Sequence, residues 1–271
     1  MNATLDHPVP ASAPGSASTA PRANDAPARP SDRFRMPRVR MEARKLMDTR
    51  APRVLTGLAL LAGALMAILF PLFTREPMTP SDITTAALSV AMYVVPVVAI
   101  LTVTAEWGKN ATGLVTFTLD PKRTAVLAAK AVACVALAAV LVVAAYLVAT
   151  LGAAVSGTEF GAVGPWLAGA GWRVAGLGGL MILAGALGAA TQSTVMAIVA
   201  YLLLPQLVPQ VLSIFDATSG VAPYVDVQLG LLGMLAGQGP QDWVTFGTAA
   251  AVWIGVPAVI GVWRGARGNV G

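Results

Sequence analysis

The sequence predicts an all-α membrane protein: six transmembrane helices, both termini in the cytoplasm, and an amphipathic N-terminal helix in the membrane interface. Three observations predict it. The 271 residues are 56% hydrophobic and only 11% charged, with a mean hydropathy of +0.71, whereas soluble domains carry about 25% charged residues. Apolar runs of about 20 residues recur along the chain, each enough to cross roughly 30 Å of hydrocarbon as a helix. The basic residues collect on alternate connections between those runs. The runs are continuous and rich in Ala, Leu, Val and Gly, which argues against a barrel, whose strands alternate polar and apolar residues.

Residues 1–35 are rich in Pro, Ala and Ser. Such a segment buries too little apolar surface to offset its ordering entropy, so a disordered cytoplasmic tail is expected. It is not expected to be a secretory signal, because no apolar core follows in the usual 15–30 residues. Residues 36–52 then open with MPRVRMEARKLMDTR. Val39, Ala43, Leu46 and Met47 fall on one side at helical spacing, and Arg40, Glu42, Arg44, Lys45 and Asp48 cover most of the rest. A basic amphipathic pattern of this kind predicts a helix lying in the interface plane.

A six-helix domain over 53–264 follows, with spans at about 54–73, 83–103, 124–151, 174–190, 195–215 and 244–263, and then a cytoplasmic tail at 265–271. With the N-terminus inside, all of the 18 Lys and Arg except Arg75 and Arg173 fall on the inner side. That bias sets the orientation and favours six spans over five or seven. Trp107, Trp166, Trp172, Trp243 and Trp263 lie near predicted span ends, where the amphipathic indole anchors. The fourth and fifth spans are separated by only a few residues and should form a tight hairpin. Glycines 176, 178, 179, 185 and 188 mark the fourth span as a close-packing helix. Pro205 and Pro209 should kink the fifth span, and they are candidate gating hinges. The outer segment 216–242 has no Lys or Arg and contains VDVQLGLLGMLAG, too short to span. A short re-entrant or interfacial helix is expected there.

One polar interruption stands out between the second and third spans. It reads EWGKNATGLVTFTLDPKR over residues 106–123. Asp120-Pro121 is a helix start, because Asp caps well and Pro at the first helical position gives up no needed hydrogen bond. Lys122, Arg123 and Lys130 then lie in the first turns of the third span, where long basic side chains snorkel to lipid phosphates. The loop is therefore short and tied to two spans, which suits a rigid element receiving force from a soluble partner.

The run E-W-x-K-x-x-T, followed by L-D-P-K-R-x-x-V-L-A-A-K, resembles the loop after the second span in the membrane subunits of type-2 ATP-binding-cassette exporters. The matching positions are Glu106, Trp107, Lys109, Thr112, Pro121, Arg123, Ala129 and Lys130. The layout over about residues 36–264 is also similar: an amphipathic N-terminal helix, six spans with both ends inside, and short outer helices before the last span. The resemblance implies a permease subunit in a bacterial plasma membrane, exporting its cargo. It also implies a coupling helix over residues 106–118 that docks on a separate P-loop ATPase, and a second permease copy or paralogue. Gly108 and Asn110 depart from the basic character common in that helix, and the tail before Met36 is not a feature of the family.

Other features narrow the chemistry. No G-x-x-x-x-G-K-[ST] phosphate loop occurs, so an ATPase site is expected on another polypeptide. The lone His7 and lone Cys134 leave no material for a His-based protease or a Cys-based zinc site. No catalytic residue, metal or cofactor is therefore expected, and no nucleic acid partner. Ionisable residues are missing from the span centres, which argues against ion coupling and points to an apolar cargo path. The alternative to an exporter subunit is a non-transport membrane scaffold that anchors partners through its tail and interfacial helix.

Overall fold

The computed structural model describes residues 35–74, 78–105, 123–159 and 161–267, and they are helical apart from short connections. Helix α1 spans Arg35–Asp48, and α2 spans Arg50–Phe73. The second apolar segment is two helices, α3 at Pro80–Leu88 and α4 at Ala91–Thr104. Helix α5 covers Arg123–Ser156. A short α6 at Val163–Ala168 leads into α7 at Ala170–Thr191, and α8 covers Thr194–Ile214. A single turn, α9 at Asp216–Ser219, and a 3₁₀ turn at Ala222–Val225 precede α10 at Val227–Leu235. The last segment is α11 at Trp243–Ala250, a π-helical turn at Ala251–Gly255 and α12 at Val256–Arg267. Six of these segments are long and apolar enough to cross a membrane.

The helices run alternately up and down. At one end, Lys130 meets Glu42 and the Thr102 carbonyl, the Thr104 and Thr194 hydroxyls pair at 2.7 Å, and Arg264 donates to the Ala190 carbonyl. At the other end, Arg173 reaches Ser81 and Ala236. Helix α1 and the end of α12 thus share one end of the bundle, together with the bases of α4 and α5. We call it the basic end.

Helix α7 is the centre. It packs against α4, α5, α8, α10 and α12, and 61% of its apolar window is buried, against 17% for α2 and for the last segment. Small residues make this possible. At Gly176 a Cβ would lie 2.9 Å from the Leu231 carbonyl of α10, so the close-packing role expected for that glycine holds there. The α7–α8 hairpin is as tight as predicted. Gln192 closes it in the left-handed region at φ 54°, donating its N–H to the Gly188 carbonyl at 2.9 Å, a helix end at which glycine is usual.

Prolines inside helices leave carbonyls without their usual donor. Pro96 in α4 frees the Met92 carbonyl, and the Tyr201 hydroxyl of α8 donates to it at 2.9 Å. Pro71 in α2 frees the Ala67 carbonyl, and Gly152 of α5 packs directly onto it, where a Cβ would collide. Helix α8 runs continuously through Pro205 and Pro209, both buried against the bundle.

The fourth helical segment starts earlier than predicted, at Val163 rather than near residue 174. Trp166, Trp172 and Arg173 therefore sit in helices and not in a loop. The second starts at Pro80, because Thr79 and Asp82 form a reciprocal capping box. The third is longer than expected: 34 residues make roughly 51 Å at 1.5 Å per residue. The predicted outer helix is α10. It is capped by the Asp226 carboxylate, which accepts from the Leu229 N–H at 3.0 Å, and it buries Val227, Leu231, Met234 and Leu235.

Candidate functional site

Two charged clusters sit at opposite ends of the bundle, and each is built from residues far apart in sequence. The first is at the basic end. Glu42 and Lys45 are three apart on α1, so they share a helix face. Lys45 Nζ donates to Glu42 Oε1 at 2.7 Å, and Lys130 Nζ of α5 donates to Glu42 Oε2, also at 2.7 Å. Lys130 Nζ also lies 3.3 Å from the Thr102 carbonyl of α4. The Lys130 and Glu42 side chains are only 4% and 3% exposed, whereas Lys45 is 41% exposed. Leu46, one turn after Glu42, is buried with Val98 of α4 and Ala133 of α5. An apolar contact and an ion pair together dock α1 on the bases of α4 and α5.

This arrangement corrects two sequence expectations. Lys130 does not snorkel outward; it is buried and ion-paired. Glu42 does not belong to a solvated polar face; it is the residue that turns α1 toward the bundle. Burial pushes the Glu42 carboxyl up, but the Lys130 charge and the hydrogen bonds from Lys130 and Lys45 outweigh it and hold its pKa below the ordinary carboxylate value. A buried carboxylate carries this charge only because its partner is equally buried.

Of the residues matched to the exporter motif, Glu106, Trp107, Lys109, Thr112 and Pro121 lie outside the described residues, as does the coupling helix expected over 106–118. The tail before residue 35, Arg75 and residues 268–271 lie outside them too. What is described is the frame of that loop. Helix α4 ends at Thr104 and α5 begins at Arg123, and Lys130 bonds to both Thr102 and α1.

The second cluster surrounds Arg173, which sequence reading counted as an outer-loop charge and which is 1% exposed. Its Nη1 donates to the Tyr146 hydroxyl of α5 at 2.6 Å. Its Nη2 donates to Ser81 Oγ of α3 at 2.7 Å and approaches the carbonyls of Ser81 and Ala236 at 3.3 Å. Tyr146 passes its own proton to the Trp166 carbonyl at 2.8 Å, and the Trp166 indole donates to Thr84 Oγ1 at 2.9 Å. Gly237 permits the approach: its φ is +87°, and a Cβ there would lie 2.7 Å from Arg173 Nη1. No carboxylate among the described residues pairs with the guanidinium, and its Nε is buried without a partner. The charge is offset by the C-terminal carbonyl end of α10 and by the Tyr146 ring, 5.3 Å away. One guanidinium thus joins α3, α5 and α10 to α7. A single Arg three residues into an apolar helix was the only signal of this in the sequence.

Pro205 and Pro209 touch neither cluster. Among the described residues no group of three or more His, Cys, Asp or Glu side chains is placed to hold a metal. No protein-family model matches the chain, and no curated protein matches it.

Proposed function

We propose that this chain is the permease subunit of an ATP-driven exporter, a multi-pass protein of the bacterial cytoplasmic membrane that works with a separate P-loop ATPase and a second permease copy or paralogue. The observation that carries the reading is the bracing of the polar loop: the two helices that frame residues 106–122 are tied to each other and to α1 through Lys130. Under this reading the basic end faces the cytoplasm, which agrees with the charge bias of the sequence. ATP hydrolysis displaces the coupling helix. The bases of α4 and α5 move with it, and the Glu42–Lys130 pair carries α1 along. Arg173 clamps the far end, and release of that clamp opens the bundle outward, with the buried prolines of α8 as the hinge. The cargo path is apolar.

The test is reconstitution. The chain should co-purify with a P-loop ATPase and alter its hydrolysis rate in nanodiscs. Glu106→Ala and Arg123→Glu should uncouple hydrolysis from export while the protein still inserts and folds. Normal transport by both variants, or an external location for residues 106–122 by labelling, would refute the assignment.

A further inference from the structure

The basic end holds a second feature that the coupling reading does not use. A cavity of about 160 Å³ opens between α4, α5, α7 and the last helical segment. Its wall is almost wholly apolar, formed by residues such as Val103, Leu127, Met181, Ile254 and Val262, with Lys130 and Cys134 among them. A closed apolar cavity of this size stays dry and accepts a small hydrocarbon. This one is partly open, at the side of a bundle whose helices are long and apolar enough to lie in hydrocarbon. Exposed Arg264 stands beside it. Arg264 Nη1 donates to the Ala190 carbonyl at 2.6 Å, next to the lining residue Ala189 and two residues past the lining residue Val262. On the other side Lys130 and Lys45 share the single carboxylate of Glu42, leaving an excess of positive charge. Basic pockets between transmembrane helices at one membrane face are the pattern that binds anionic lipid headgroups.

We infer that this cleft is a binding site for an anionic glycerophospholipid, with one acyl chain in the cavity between α4, α5, α7 and α12 and the phosphate at Arg264. Charge complementarity selects the occupant. A neutral detergent tail would fill the same space but would draw nothing from Arg264 or from the excess ammonium charge of Lys45. The site rests on the membrane-spanning helices alone and is independent of the exporter reading.

The experiment is to extract the full chain in a neutral detergent from membranes containing phosphatidylglycerol and phosphatidylethanolamine, and to count retained phospholipid by mass spectrometry. About one phosphatidylglycerol per chain should survive washing. Gly185→Leu, which points a side chain into the cavity at a position where a Cβ meets only Val103 Cγ2 at 3.6 Å, should lose it. Arg264→Gln leaves the cavity unchanged and should reduce the preference for phosphatidylglycerol over phosphatidylethanolamine about fivefold, the worth of one basic residue at an anionic surface. Wild-type protein holding only detergent, retention without headgroup preference, or unchanged preference in Arg264→Gln would overturn the site. Because lipid retention is read without any ATPase, failure of the exporter assignment leaves this result intact.

Discussion

Removing Lys130 tests whether α1 is held to the bundle by a buried ion pair. Lys130→Met keeps the length and packing of the stem and deletes the ammonium. Glu42 would then stay 3% exposed with only the half-solvated Lys45 at 2.7 Å. Breaking a buried pair from one side costs about 3–5 kcal/mol, because the other charge is stranded. Lys45 keeps one hydrogen bond to Glu42, so the low end, about 3 kcal/mol, is expected. On the scale of domains of this size that corresponds to about 6–12 °C in melting temperature. Glu42→Leu combined with Lys130→Met strands no charge and should melt within about 1 kcal/mol of the wild type, as replaced buried pairs often do. The assay is thermal melting in nanodiscs, followed by reaction of the lone buried Cys134 with a bulky fluorogenic maleimide and, as a second probe, by light scattering. A pH series gives a further arm. The folded-state pKa of Glu42 is depressed, so the pair's contribution is complete above the ordinary carboxylate value of about 4.3 and is lost as the pH falls through the depressed value. The wild type's advantage over Lys130→Met should therefore be flat through neutrality and shrink only in strong acid. A single variant that melts with the wild type, or a double variant as damaged as the single, would refute the reasoning.

Other outcomes follow from the packing. Arg173→Lys should destabilise the protein by about 2 kcal/mol in the same melt, since one ammonium cannot serve Tyr146, Ser81 and the α10 carbonyl end together. Gly152→Ala drives a Cβ into the Ala67 carbonyl, and an overpacking cost of about 1–3 kcal/mol is expected. Gln192→Gly should stabilise the α7–α8 hairpin by up to about 1 kcal/mol, because glycine adopts the left-handed conformation without the Cβ penalty.

The reach of sequence reading is clearest at the individual helices. Apolar runs mark the six segments because hydrocarbon tolerates little else, and this local rule needs no knowledge of neighbours. The α7–α8 hairpin followed from the few residues between two runs, and α10 from an apolar stretch too short to cross. Boundaries failed where a side chain had a distant partner. The start of α7 was placed after Arg173 because a guanidinium reads as a loop residue until Tyr146 and Ser81 are seen around it. Lys130 was assigned to lipid phosphates for the same reason, since Glu42 lies 88 positions away.

The amino-acid order alone settled how many helices are long and apolar enough to cross a membrane, and which one is rich enough in glycine to pack closely, because those properties are sums over neighbouring residues in one solvent. Only the tertiary structure decided where the charges go. Glu42 with Lys130, Arg173 with Ser81, and Tyr201 with the carbonyl freed by Pro96 are pairings across 88, 92 and 109 positions. A buried polar group must find a partner, but nothing in the local pattern says which distant one the packing will bring within reach.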